Sequence, residues 1–142
     1  MSAPRNPDFA AAIRESFARQ GMMGLLEAEL VSVEHGAVAI AAPIRPEVSQ
    51  QQGFSHAGLA WTIGDSAAGY AALSVMEPGV EVMSVEMKIN LLAPGKGRRL
   101  VAEGRVVKPG RRLVIVAAEI WGEAEDGART HVATMLGTMI PV

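Results

Sequence analysis

One carboxylate, Asp65, stands inside the stretch QQQGFSHAGLAWTIGDSAAGYAAL, residues 50–73, which after His56 is almost entirely apolar or small. Burying an ionised carboxylate without partners costs several kcal/mol. Asp65 therefore has partners, has a raised pKa, or faces a cleft. Two structural readings stand beside a functional one. Gly64-Asp65-Ser66 could be a turn in which Asp65 caps a shorter helix, or Asp65 could be a buried acid satisfied by backbone donors. A second feature lies upstream, in GFSHAGLA. A helix that begins near His56 leaves the backbone N–H groups of Ala57 and Gly58 unpaired at the positive end of its dipole. Such donors make an oxyanion site without any special side chain. Small residues at 57 and 58 let a carbonyl approach closely, although they equally let a sheet pack tightly. Donors for a carbonyl oxygen and an acid beside its carbon suit chemistry at a carbonyl.

Spacing separates the two features. Ala57 and Asp65 are eight residues apart, about 12 Å along a helix at roughly 1.5 Å per residue. A reacting carbonyl must sit about 3 Å from its donors and near the acid or its water. An aspartate side chain does not easily span that gap within one chain. Two antiparallel copies of the helix would set each Asp65 near the other chain's Ala57. A function using both features thus predicts an obligate dimer with two equivalent sites.

The elements that must position these residues follow from periodicity. Residues 7–19 read as an amphipathic helix, with Phe9, Ile13 and Phe17 on one face and Gly21 as the break. Residues 26–33 and 37–42 read as strands joined at His35-Gly36, and 43–55 as a loop. Residues 57–76 read as an Ala- and Gly-rich helix, apolar nearly all round and so expected to be covered on all sides. Strands are then expected over 80–92, 99–107, 112–123 and 128–140, with turn signals at KPGR and EDG. In the first of these, Met83, Val85, Met87, Ile89 and Leu91 share one face by strict alternation, and Ser84, Glu86, Lys88 and Asn90 the other. Hairpins imply an antiparallel sheet. The expectation is an α+β domain with five to six strands wrapped around one long central helix. One sheet does not enclose both sides of a helix, which again predicts a second copy.

Composition bounds the class. At 142 residues the chain is expected to be one domain, 1–142, led by an N-terminal helix within residues 1–20. Its formal charge of −2 argues against a nucleic-acid partner, which needs a basic stripe. The absence of cysteine removes disulfides, thiolate metal sites and a cysteine nucleophile. His35 and His131 show no metal-ligand spacing, so no metal is expected. The start MSAPRNPDFAAAIRESF lacks the long apolar core of a signal peptide, and 57–76 carries Asp65, so a soluble cytoplasmic protein without membrane contact is expected.

The pattern H-A-G-L-A-x-x-x-x-D resembles the H-G-G-x-x-x-x-x-x-D motif of the hotdog-fold thioesterases, especially the PaaI-like acyl-CoA thioesterases. The resemblance runs from about residue 22 to 140 and includes the element order, MKINLLAPGKG after the helix, and VKPGRRLVIV. It implies a hotdog fold and hydrolysis of acyl-CoA in a homodimer, arranged as a dimer of dimers, with no cofactor because CoA belongs to the substrate. Residue by residue, it implies that Asp65 is the catalytic acid, as general base or nucleophile. The N–H of Ala57 becomes the oxyanion donor, Gln50 holds the attacking water where the family usually has Asn, and Ser84 is a hydroxyl beside the acid. Ala57 replaces the first glycine of the motif, yet any residue but proline supplies the N–H.

Other residues are read more simply. His56 orders the loop at the helix start by hydrogen bonds. Trp61, Met83 and Met87 offer apolar lining for an acyl group. Lys108, Arg111 and Arg112 flank a turn and could grip the phosphates of CoA, or form a solvated turn. Two rival functions remain. A non-catalytic acyl-thioester or small-ligand binding protein would use Asp65 structurally. A hotdog dehydratase needs an Asp and a His at one carbon and ranks lowest, since the nearby His is His56 at the helix start.

Overall fold

A computed structural model describes residues 2–142. Its elements run α1 (Phe9–Arg19), α2 (Gly21–Leu25), β1 (Glu29–Glu34), β2 (Ala37–Pro43), a 3-10 turn (Pro46–Val48), α3 (Ala57–Leu73), β3 (Val82–Leu91), β4 (Arg99–Pro109), β5 (Val114–Glu123) and β6 (Arg129–Pro141). The six strands form one sheet in the order β1-β2-β4-β5-β6-β3, and each neighbouring pair is antiparallel. The core sits between this sheet and α3 and includes Ile40, Ile63, Leu100, Ile120, Met135 and Met139. This is the α+β arrangement that the sequence predicts.

Alanine loses no side-chain entropy on entering a helix, so the α3 sequence is strongly helical and also thin. Thinness lets the sheet come close. A Cβ placed on Gly104 of β4 would lie 2.4 Å from the Ala67 carbonyl carbon, so only glycine fits there. Among the described residues no helix is long and apolar enough to cross a membrane.

Three expectations are corrected. First, one chain alone does not cover α3 on all sides. Ala57, Gly58, Trp61, Thr62, Asp65 and Ser66 form an exposed or half-buried stripe at i, i+4 and i+8 spacing. Farther along, the covering element is the chain's own N-terminus: Phe17 packs on Tyr70 with ring centroids 6.4 Å apart, and Ile13 is fully buried. Second, the α1 break is Gln20, whose backbone is extended (φ −77°, ψ 107°), and helix resumes at Gly21. β1 then starts at Glu29 rather than 26, because Leu26 ends α2 and Glu27 turns the chain at φ 53°.

Third, β3 does not alternate strictly. Its pairing with β6 steps from Ser84↔Met139 to Glu86↔Thr138, leaving Val85 as the extra residue of a β-bulge. A bulge shifts side-chain parity by one. Val82, Ser84, Met87 and Ile89 consequently share the helix-facing side, opposite buried Met139 and Met135. Met83 pairs with Ile140 and is exposed, which takes it off the face that α3 covers.

Candidate active site

The helix start is built by a loop that caps it. His56 is the N-cap of α3, with φ −64° and ψ 143°, and its Nδ1 accepts the Gly58 N–H at 2.8 Å. The His56 N–H in turn donates to the Val48 carbonyl at 2.8 Å, and Leu59 N–H reaches the His56 carbonyl at 3.0 Å. A Cβ on Gly58 would stand 2.9 Å from His56 Nδ1, so any larger residue there forces the ring to shift. The cap also sorts the two candidate donors. Gly58 N–H is taken, whereas Ala57 N–H has no acceptor among the described residues and borders a cavity of about 520 Å³.

Gln50 lines the same cavity, as do Gln51, Gln52 and His56. Its side chain closes its own turn. Oε1 accepts from the backbone N–H groups of Gln52 and Phe54, and Nε2 donates to Gln52 Oε1 at 3.1 Å. Beside the loop, Lys96 Nζ sits 5.4 Å from the Phe54 ring centroid, a cation that motif reading passed over.

Asp65 borders a different cavity, of about 260 Å³. The inward turn of Ser84 makes the contact that strict alternation would forbid: Ser84 Oγ donates to Asp65 Oδ1 at 2.6 Å. Burial pushes the Asp65 carboxyl above the ordinary aspartate range, and the Ser84 hydrogen bond pulls it part of the way back. Ser16, Gln20, Ser66 and Tyr70 share this cavity. None of the four was singled out by motif. The signal available was the polar spacing of Ser16 and Gln20 on the N-terminal helix and of Ser66 and Tyr70 just after Asp65.

Trp61 lies between the two cavities on the open stripe of α3, with Nε1 donating to the Met87 carbonyl at 3.3 Å. The structure brings Gln50, His56 and Ala57 together at one place and Asp65 and Ser84 at another, and neither of these two cavities contains both groups. Lys108, Arg111 and Arg112 are exposed at the β4–β5 turn. Arg111 borders a cavity with Val75, Met76 and Glu77, at the C-terminal end of α3 and away from Ala57. Among the described residues no group of His, Cys, Asp and Glu could hold a metal ion.

The thioesterase superfamily model matches residues 52–128, which includes His56, Ala57, Asp65 and Ser84. A solved thioesterase family protein from Silicibacter pomeroyi is 40% identical, with 94% of this chain and 98% of that one covered and a TM-score of 0.91. The E. coli PaaI protein, from the phenylacetic acid degradation operon, shares the fold at a TM-score of 0.82 and 18% identity, over 95% of this chain and 94% of that one. A 1,4-dihydroxy-2-naphthoyl-CoA hydrolase from Listeria monocytogenes is 28% identical over 106 residues, 72% of this chain and 86% of that protein. These likenesses support thioester hydrolysis as the general activity. With its six-stranded antiparallel sheet and long helix, the chain has the hotdog fold and belongs to the thioesterase superfamily.

Proposed function

We propose that this protein hydrolyses acyl-CoA thioesters, in a homodimer whose two sites each join Asp65 of one copy to the helix start of the other. The observation that carries the reading is the Asp65–Ser84 pair: an acid on the open stripe of an otherwise buried helix, bordering a cavity and held by a hydroxyl at 2.6 Å. The edge strand supports the dimer. β3 ends the sheet and exposes Met83, Val85 and Leu91 together with its free backbone edge. A second copy of β3 alongside would cover both and would run the two α3 helices antiparallel.

In such a site the thioester carbonyl oxygen accepts the Ala57 N–H at the positive end of α3. Asp65 takes a proton from water as the water oxygen bonds to the carbonyl carbon. The tetrahedral intermediate then collapses, the C–S bond breaks, and the departing CoA thiolate takes up the proton that Asp65 holds. In the nucleophilic version the Asp65 carboxylate attacks the carbonyl carbon, the C–S bond breaks with loss of the CoA thiolate, and water then cleaves the resulting anhydride. Ser84 orients the carboxylate in either case. Gln50 offers its carboxamide to the water once Gln52 releases it. Antiparallel helices also carry Lys108, Arg111 and Arg112 of one copy toward the helix start of the other, where they would meet CoA phosphates.

Thiol release from a panel of acyl-CoA substrates tests the reading. Asp65→Asn should keep its fold and lose at least about a hundredfold in kcat, the scale of a general base. Turnover equal to wild type would overturn the mechanism. Retained acyl-CoA binding without turnover in the wild type would make the protein a binding module.

A further inference from the structure

Ala57, Trp61 and Asp65 follow one another at intervals of four along α3. Residues at that spacing share one helix face, and here the face is the open stripe. Trp61 is the middle member, one turn from the candidate donor and one turn from the acid. It is a large aromatic left 37% exposed, although Ala60 and Ile63 beside it are buried. Its Nε1 donates to the Met87 carbonyl at 3.3 Å. Met87 stands at the middle of β3 (Val82–Leu91), the edge strand of the sheet.

These positions fix where a two-fold axis passes. In an isologous pair, when residue i of one copy faces residue j of the other, j of the first also faces i of the second. For two antiparallel helices, the residue midway between i and j then faces its own copy across the axis. A site that joins Ala57 of one copy to Asp65 of the other puts Trp61 at that midpoint. The edge strand leads to the same place. Two β3 strands pair over their whole length when the axis crosses their middle, and the middle residue, Met87, is the one that Trp61 binds. Helix spacing and strand bounds are independent of one another, and they agree on one axis.

We propose that the Trp61 side chains of two copies meet on the dimer axis, and that Trp61 is a positioning residue for both sites. The inference rests on the shared-site reading above. Packed face to face, the two indoles set the distance between the helices. The same distance governs the gap from the Ala57 N–H of one copy to the Asp65 carboxylate of the other, because Ala57, Trp61 and Asp65 share the contact face. Trp61 also works alongside Ser84. The Trp61–Met87 and Asp65–Ser84 hydrogen bonds are two tethers, one helical turn apart, between α3 and the edge strand. Loss of the indole frees the helices to shift, and a displacement of about 1 Å in a reacting geometry costs roughly a hundredfold in rate.

The chain has no cysteine, so one introduced thiol reports the contact. Helices packed about 8–10 Å apart, with Cα atoms about 2.3 Å from each axis, bring facing Cα atoms to roughly 4–5 Å. A disulfide spans about 4.4–6.8 Å. Trp61→Cys should therefore give a disulfide-linked dimer on mild oxidation, seen on non-reducing gels. Ser66→Cys is the control from the same stripe. An axis at Trp61 sets the two copies of position 66 about 15 Å apart along the helices, and they should not link. A link through Ser66→Cys in place of Trp61→Cys overturns the inference. The native side chain carries the test if Trp61→Cys fails to fold. The chain has two tryptophans, so Trp121→Phe leaves Trp61 as the sole indole, and acrylamide should quench it weakly. Quenching as strong as in the urea-unfolded chain overturns the placement.

Activity separates positioning from lining. In dimeric Trp61→Ala, kcat and kcat/KM should fall together by about a hundredfold, and Trp61→Phe, which keeps a ring, should recover most of the loss. A raised KM with unchanged kcat would make Trp61 acyl lining and overturn its positioning role. A link through Trp61→Cys beside a wild type that turns over no acyl-CoA overturns the hydrolase reading alone. Turnover by a wild type whose Trp61→Cys variant folds but stays unlinked overturns this inference and leaves hydrolysis standing.

Discussion

Ser84 and Asp65 lie 19 residues apart, on an edge strand and a buried helix, and meet at 2.6 Å because Val85 bulges out of β3 between Ser84 and Glu86. The hydroxyl donates to the carboxylate and so favours its charged form. Ser84→Ala removes that donation. The acid limb of the kcat/KM profile, which tracks Asp65 in the free enzyme, should move to higher pH, and the plateau should fall about tenfold as the carboxylate loses its fixed orientation. Ser84→Thr restores a hydroxyl and should recover most of both. A pH–rate profile of the three proteins checks this; an unmoved limb in Ser84→Ala would separate Ser84 from the titrating group.

Asp65 should also cost stability. Its folded pKa is raised above the ordinary value of 3.8, mainly by burial. An acid whose pKa is raised on folding binds its proton more tightly in the native state, so stability declines as pH rises from the unfolded pKa through the folded one. The penalty is complete once the pH exceeds the folded pKa. Asp65→Asn, which keeps an oxygen acceptor for Ser84, should therefore melt higher than wild type at neutral pH while losing turnover. The two curves should converge below about pH 3.8, where both side chains are neutral. Thermal melts across the acid range measure the gap; a variant melting below wild type at neutral pH would mean that the carboxylate makes a stabilising contact instead.

The uneven legibility of this site has physical causes. The helix start was readable because capping and dipole effects act within a few residues, and His56-Ala57-Gly58 carries all of them. The Ser84 contact was expected from the resemblance alone and not from periodicity, since alternation assumes an unbroken pleat and one inserted residue reverses it. The open stripe on α3 lay in plain view as Thr62, Asp65 and Ser66, but alanine and glycine around them blurred the contrast between faces. Gln20 was unreadable for a different reason: its partner Tyr70 is 50 residues away, and only the docking of α1 joins them.

Gly58 should be intolerant of even a methyl group. Its Cβ would stand 2.9 Å from His56 Nδ1 and push the ring off the cap. Gly58→Ala should lose about 1 kcal/mol of stability, the usual worth of an N-cap, offset by a part of alanine's better helix propensity. Activity should fall more than stability does, because the freed Gly58 N–H and the displaced ring disturb the donor at Ala57. Urea unfolding beside kcat/KM separates the two effects; a variant with wild-type activity would show that the His56 cap does not position the donor.

Acid stability should depend on Glu123. This buried carboxylate takes Arg99 Nε at 2.8 Å, with Arg98 and Arg129 each at 3.3 Å. The Arg99 hydrogen bond leads in holding its pKa below the ordinary 4.5. A depressed pKa means that the stabilisation is present above the unfolded value and is lost as pH falls through the folded one. Glu123→Gln should therefore be less stable than wild type above about pH 4.5, and the difference should shrink as acid protonates Glu123 in the wild type. Urea midpoints at neutral and acid pH provide the check; a difference that is constant with pH would assign the loss to packing alone.

The division of the site between two copies has a test that activity alone supplies. Ala57→Pro deletes the proposed oxyanion donor with little strain. Proline is favoured at the first helical position, its missing N–H has no acceptor to lose, and His56 before it already holds the extended backbone that proline demands. Asp65→Asn deletes the acid. Each variant alone should be inactive. In a mixed dimer of the two, one site receives both defects and the other receives neither, provided that Asp65 of one copy works with Ala57 of its partner. Equal amounts of the variants, unfolded together and refolded, pair at random, so about half of the dimers are mixed and each keeps one of two equivalent sites. Activity should return to about a quarter of wild type. If Asp65 and Ala57 served a site within one chain, every site in the mixture would carry a defect and no activity would return. Recovery near a quarter therefore requires the shared site, and a mixture as dead as its components would refute it.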